Sequence, residues 1–204
     1  MMAKVKPPVD RTTEEKIKDA ASRVFTKKGY AATRTRDIAE EAGLNLALLN
    51  YYFRSKEKLF EVVMTEKLQK MFGVIVPIIN DEGTTLEKKI ERIAGSYIDM
   101  ISANMDLPIF VLSELRNHPE RFGSRLQVGR LLRESVLIRQ LQEKRPDVRP
   151  LHFMMSILGM TIFPFIAMPV FQAENVASRQ VFHAMMEERK TLIPKWVKAM
   201  LKAK

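Results

Sequence analysis

Thr33-Arg34-Thr35-Arg36-Asp37-Ile38-Ala39-Glu40-Glu41-Ala42-Gly43-Leu44-Asn45-Leu46-Ala47-Leu48-Leu49-Asn50-Tyr51-Tyr52-Phe53-Arg54-Ser55-Lys56 is the stretch that decides the fold of this 204-residue chain. Ile38, Ala39 and Ala42 give a short helix one apolar face. Gly43 stands where a tight turn needs positive φ, and Asn45 is a side chain that can cap the helix after it. In that second helix Leu49 and Phe53, four residues apart, anchor one side to a core. Leu46, Ala47, Leu48, Asn50 and Tyr51 are left facing outward.

Two short helices joined by a glycine turn, the second with an uncovered face, form a helix-turn-helix whose second helix suits a DNA major groove. Hydroxyls and amino ends at helix starts bind phosphate, whereas side chains in the middle of the reader touch bases. Thr33 or Thr35, with the start of the first short helix, is expected to grip one backbone strand. Tyr51, Tyr52 and Lys56 are expected to grip the other. Arg36 can pair bidentately with a guanine edge, and Asn45, Leu46, Ala47, Leu48 and Asn50 complete the predicted DNA-binding set. The alternative is a helical hairpin whose glycine and tyrosines only pack, and for Tyr52 core packing is an equal contender. Two leucines and two tyrosines on an outer face would, however, serve solubility poorly unless something covered them.

The segments Ile38 to Gly43 (Ile-Ala-x-x-Ala-Gly) and Tyr51 to Leu59 (Tyr-x-Phe-x-Ser-Lys-x-x-Leu) resemble the tetracycline-repressor-like (TetR) family of bacterial transcription regulators. The resemblance is strong from Thr12 to Phe60 and architectural beyond. Leu46 and Leu48 depart from it, being apolar where the family usually has polar residues, and Asn50 stands where a tyrosine is common. The resemblance implies an all-α chain with an N-terminal three-helix DNA-binding domain, residues 1–54. A larger C-terminal helical bundle, 55–204, would serve dimerisation and ligand binding. It also implies a homodimer on a palindromic double-stranded operator and a small-molecule effector within the bundle that tilts the linking helix and separates the two readers. Candidate effector contacts are Tyr97, Met100, Met105, Phe110, Glu114, Met154, Leu158 and Phe165, from helices expected to converge. A methionine-lined cavity would suit a hydrophobic or amphipathic ligand, to which Glu114 or Arg116 could add one charge contact.

Bulk properties agree. A net charge of +10 suits a polyanionic partner, and many of the cations fall before residue 59. The chain has no cysteine, which excludes disulfides and thiolate chemistry and makes a reducing cytoplasm the simplest compartment. The first ten residues read as a basic, proline-stiffened arm rather than a secretory signal. Leu151 to Phe171 lacks Asp, Glu, Lys and Arg and is long enough to span a membrane. His152, Pro164 and Pro169 weaken that reading, and a helix apolar all round is more simply buried in a bundle or dimer interface.

Outside the reader the pattern is helical throughout, with no alternation of period two and no phosphate-binding glycine loop. Thr12 and Glu15 predict a capping box opening a first helix that ends near Gly29, its inner stripe being Ile17, Ala20, Ala21, Val24 and Phe25. Ser55 is expected to cap a linking helix that ends around Pro77 and Asn80 to Gly83. Thr84 with Glu87 predicts the next start, followed by the stripe Leu86, Ile90, Ile93, Ala94, Tyr97, Ile98 and Ile101. Pro108 and Pro119 mark two more starts, and Arg145 to Pro150 a break. The apolar helix is then followed by a segment from Glu174 to Lys190 and a short basic helix around Trp196. Exposed apolar surface on Leu151 to Phe171 and on the helix with Phe182, Met185 and Met186 is expected to form the dimer seam.

No cofactor or metal site is expected, and catalysis would have to rest on His118, His152, His183 and scattered carboxylates. His183 and Glu187 share a helical face but provide too few ligands for a metal. The competing functional class is a basic helical protein that binds nucleic acid without specificity or acts at membranes.

Overall fold

The computed structural model describes residues 9–120 and 128–203, all of the regular structure being helical. The chain divides into two compact units, 1–70 and 71–204. The basic arm before residue 9 and most of the segment after Pro119 lie outside the described residues.

The first unit contains α1 (Val9–Ala32), α2 (Thr35–Ala42), α3 (Leu46–Tyr52) and the first part of α4 (Lys56–Asn80). The stripe Ile17, Ala20, Ala21, Val24 and Phe25 is buried, as are Ile38, Ala39, Leu49, Phe53, Leu59, Phe60 and Val63, and α1 packs on α2. Phe25 and Phe60 meet edge to face at 5.0 Å, and Tyr30 closes on Phe60 at 4.7 Å. α1 starts at Val9, three residues before the predicted Thr12 cap. It leaves helical geometry at Gly29 (φ 75°, ψ 167°), where the predicted end lies, and adds one further turn to Ala32. Positive φ at that point is cheap only for glycine.

Lys56 locks this corner. Its ammonium donates to the carbonyls of Tyr30 (3.0 Å) and Thr33 (2.9 Å) and sits 4.3 Å from the centre of the Tyr30 ring. A cation at the carboxyl end of a helix satisfies carbonyls that have no partner within it.

In the second unit α4 continues to Asn80 and is followed by α5 (Leu86–Ala103), α6 (Leu107–Asn117), α7 (Val128–Glu134), α8 (Val136–Lys144), α9 (Pro150–Ala173) and α10 (Arg179–Lys202). α5 is central, touching α8, α9 and α10. Its predicted stripe is buried in full, together with Lys89. The Lys89 ammonium is satisfied by the Thr84 carbonyl and by the Gln140 amide oxygen at 3.1 Å. Thr84 is occupied there, so the cap of α5 is Thr85, whose hydroxyl accepts from the Lys88 amide at 3.3 Å.

Prolines account for the other departures from expectation. Pro77 lies inside α4 instead of ending it, and the Asn80 side chain donates to the Val76 carbonyl at 3.1 Å in the last turn. Pro194 likewise does not separate a short terminal helix, because Ile193, Val197 and Leu201 bury one continuous face across it in α10. In α9, Pro164 has no N–H to give the carbonyl four residues back, that of Met160. Arg189 of α10 supplies the missing donor at 2.7 Å while its guanidinium lies 5.1 Å from the Trp196 ring. Arg145 similarly caps the end of α10, donating to Met200, Leu201 and Ala203.

α9 is long and apolar enough to cross a membrane by length and composition. One side, Phe153, Ile157, Phe165 and Met168, belongs to the core, whereas Leu151, Met155, Phe163 and Val170 are exposed. Phe182 and Met186, expected at a dimer seam, face this core instead, and Met185 and Val181 point outward. Helical spacing explains the split, since Phe182 and Met186 are four apart and share a face that Met185 does not.

Candidate nucleic-acid interface and interior cavity

The turn between α2 and α3 is built as its residues require. Gly43 takes φ 66°, ψ 32°, and its amide donates to the Glu40 carbonyl at 3.0 Å. Asn45 adopts extended backbone and its side-chain oxygen accepts the Leu48 amide at 2.7 Å, capping α3. At the start of α2 the Asp37 carboxylate accepts the Arg34 amide at 3.1 Å and pairs with Lys28 at 3.0 Å. Those two contacts, the backbone N–H first, hold the Asp37 carboxyl below its ordinary range.

Leu49 and Phe53 are the buried anchors of α3. Ala47, Asn50 and Tyr51 are exposed, Tyr51 to 76%, and Leu46, Leu48 and Tyr52 are half-buried. Tyr51 and Tyr52 meet edge to face at 5.4 Å. Arg34 and Arg36 flank the start of α2, and Arg54 and Lys58 follow α3, all of them exposed.

Thr33 is not on this face. It is buried, and its hydroxyl is donated to the Gly29 carbonyl at 2.7 Å, so it finishes α1 while the half-buried Thr35 opens α2. Lys56 has two of its three protons committed to the carbonyls of Tyr30 and Thr33. Asn45 spends its side-chain oxygen on the cap.

Within the second unit α4, α5, α6, α7, α8 and α9 line an apolar cavity of about 260 Å³ whose walls include the exposed Leu112, Leu151 and Met155. Of the predicted effector contacts, Tyr97, Met154 and Leu158 line it. Met100, Met105, Phe110, Glu114 and Phe165 do not: Phe110, Glu114 and Phe165 are buried elsewhere in the bundle, Phe165 against Phe182 at 5.4 Å. Met100 and Met105 pack at the edge of the core. The walls that the sequence reading missed are Met71, Phe72, Ile75 and Ile79 of α4, Val111 and Leu115 of α6, and Leu131 with Ser135 from the α7 region. Burial raises the Tyr97 phenol to about 12, so it stays neutral, and Ser135 is the other hydroxyl in the wall.

Among the described residues no group of three or more His, Asp or Glu is placed to hold a metal ion. His183 is exposed, and Glu187 of the same helix pairs with Lys190 at 2.7 Å.

A family model described as bacterial regulatory proteins, tetR family, matches residues 17–63, which run from the buried stripe of α1 into α4. The HTH-type transcriptional repressor KstR2 of Mycolicibacterium smegmatis is 29% identical over 133 residues, 59% of this chain and 65% of its own length. The match therefore spans less than two thirds of that relative. Among solved structures, the fatty acid degradation regulator FadR of Bacillus halodurans covers 93% of this chain and 96% of its own, with a TM-score of 0.64 and 21% identity. FadR of Bacillus subtilis in complex with stearoyl-CoA covers 88% and 96%, with a TM-score of 0.62 and 16% identity. At those identities the likeness establishes the fold, which is the all-α fold described above. Residues 17–63, which hold the helix-turn-helix, thus match the tetR family of bacterial regulatory proteins, and the rest of the chain shares the fold of these structures.

Proposed function

We propose that the protein is a homodimeric, ligand-responsive transcriptional repressor, released from a palindromic operator by a small-molecule effector. The observation that carries this reading is α3 itself, a capped helix anchored by Leu49 and Phe53 with Ala47, Asn50 and Tyr51 turned to solvent. Residues 1–54 act as the DNA-binding domain and 55–204 as the effector-binding and dimerisation domain. Thr35 and the start of α2 take one phosphate strand, and Tyr51, Tyr52 and the remaining proton of Lys56 take the other. Arg36 reads a guanine edge, and Leu46, Ala47, Leu48 and Asn50 meet bases. Thr33 and Asn45 act indirectly, by fixing the ends of α1 and α3. The protein works in the cytoplasm, without enzymatic activity of its own.

The effector occupies the cavity. Its apolar wall favours a hydrocarbon chain or ring system, and any charged head group of that ligand stays outside. One relative's structure is a complex with stearoyl-CoA, which makes acyl-CoA esters the first compounds to try. α4 supports a route for the signal, because one continuous helix carries Lys56 in its first turn and cavity walls Met71, Phe72, Ile75 and Ile79 further along. The uncovered side of α9 with Val181 and Met185 of α10 serves the dimer, in place of Phe182 and Met186.

Footprinting of the DNA upstream of the protein's own gene, with and without acyl-CoA esters of increasing chain length, tests the reading. Inverted half-sites about one helical turn apart are expected to be protected. An effector should weaken binding by about 5- to 150-fold, the range of common allosteric couplings, and operator should weaken effector binding equally. A single asymmetric site occupied by one subunit would overturn the dimeric model.

A further inference from the structure

We infer that the half-site entered by α3 has an A·T core, read through thymine methyl groups and one adenine edge. The inference deepens the proposal above and rests on it. α3, Leu46 to Tyr52, contains no charged side chain. With Leu49 turned inward, Ala47, Asn50 and Tyr51 are exposed and Leu46 and Leu48 half-buried.

Major-groove chemistry sorts these residues. Guanine presents two acceptors, matched bidentately by Arg or Lys, and cytosine presents an amino donor, matched by Asp or Glu. α3 offers neither partner. Thymine presents a methyl group, which Ala47 and Leu48 can cover, and adenine presents an acceptor beside a donor, which the Asn50 amide matches bidentately. A G·C pair under Leu48 would keep its polar edge against a hydrocarbon and lose its water without replacement. Tyr51 lends its ring to a methyl or its hydroxyl to a phosphate.

Charge complementarity supports duplex DNA as the occupant. Arg34, Arg36, Arg54 and Lys58 are exposed on both flanks of the uncharged helix, so cations are placed for phosphates and apolar groups for bases. Lys28 and Arg23, in contrast, are engaged with Asp37 and Glu41. Arg36, on α2, confines any guanine contact to an edge of the half-site.

The test is selection of bound duplexes from a random library with the full chain, followed by thymine-to-deoxyuridine replacement along the enriched half-site. Pairing is kept while a single methyl is removed. A·T pairs are expected at the central positions, and affinity should fall about three- to fourfold at each contacted methyl, by the transfer value of one buried carbon. Leu48→Ala should abolish the thymine-uracil difference at one position without loss of fold, since Leu48 is only half-buried. Asn50→Ala should cost about 5- to 150-fold at one adenine, and Asn50→Arg should turn that preference toward guanine. An enriched half-site with a G·C core, or uracil tolerated at every position, would overturn the inference while leaving a sequence-specific regulator intact. A library with no enrichment would take down the regulator reading as well.

Discussion

The two units pack their helices differently. In 1–70 the core closes on a cluster of rings, Phe25, Tyr30 and Phe60, and a lysine ties the corner to two carbonyls. In 71–204 the helices leave a cavity of about 260 Å³ and carry prolines inside α4, α9 and α10. A reader must hold a few side chains in fixed register, which favours dense packing without backbone defects. A chamber must admit a guest, which favours polarizable, adaptable walls such as Met71 and Met154. On the proposed function, the first unit displays its site on a densely packed surface and the second holds its site as a cavity between helices.

A truncation in the first unit and an enlargement in the second should separate the units most clearly. Phe60→Ala is expected to lower stability by about 3–5 kcal/mol, because a fully buried ring is removed from a core with little freedom to collapse. Leu158→Phe, which adds volume at the cavity wall, should cost less than about 1.5 kcal/mol or raise the melting temperature, and should abolish effector binding. Urea titrations of both variants check this. If Leu158→Phe costs as much as Phe60→Ala, the space is closed in solution and the contrast fails.

A smaller effect is expected where α9 bends its own rules. Arg189 donates to the Met160 carbonyl only because Pro164 cannot. Arg189→Met should therefore cost up to about 1–2 kcal/mol in the native background, the penalty for abandoning a partly buried acceptor. With Pro164→Ala present, the helix can supply its own N–H and the loss should be reduced. A double-mutant cycle with no coupling energy would show that the two residues act separately.

The same contrast governs what could be read from the sequence. Gly43, Asn45, Leu49 and Phe53 lie within eleven residues and each acts on its neighbours, so spacing alone located the reader and its cap. Thr33 misled, because a hydroxyl near a helix start looks alike whether it faces phosphate or, as here, the Gly29 carbonyl. The cavity was less legible. Its walls come from α4 to α9, and Met71 or Leu131 has no local feature that distinguishes a lining residue from a core residue. Pro77 reads as part of a break, and the residues around Trp196 as a separate short helix, because the compensating contacts, such as Ile193 and Val197 on one buried face, are tertiary.

The smallest expected effect concerns acid. In 71–204 the carboxyls of Asp81, Glu87 and Asp147 are held below their ordinary range, Asp81 chiefly by the Gly83 amide, Glu87 by the Lys144 ammonium and Asp147 by the Arg145 guanidinium. In 1–70 Asp37 is lowered mainly by the Arg34 amide. A lowered carboxyl binds its proton more weakly when folded than when unfolded. Its contribution is therefore complete above the ordinary carboxylate range and is lost as pH falls through the folded value. All four groups sit at exposed or partly exposed positions, so each effect is small and weakens with added salt. Trp196, the single tryptophan, reports on the second unit by fluorescence. Glu87→Gln combined with Asp147→Asn should shift its acid transition toward lower pH, because two groups that must take up protons on unfolding are gone, even though neutral stability falls slightly. Asp37→Asn should leave that transition in place and alter only the helical signal of the first unit. An unchanged Trp196 transition in the double variant would mean that acid unfolding of 71–204 begins elsewhere, with Asp81 and its Gly83 turn the next group to replace.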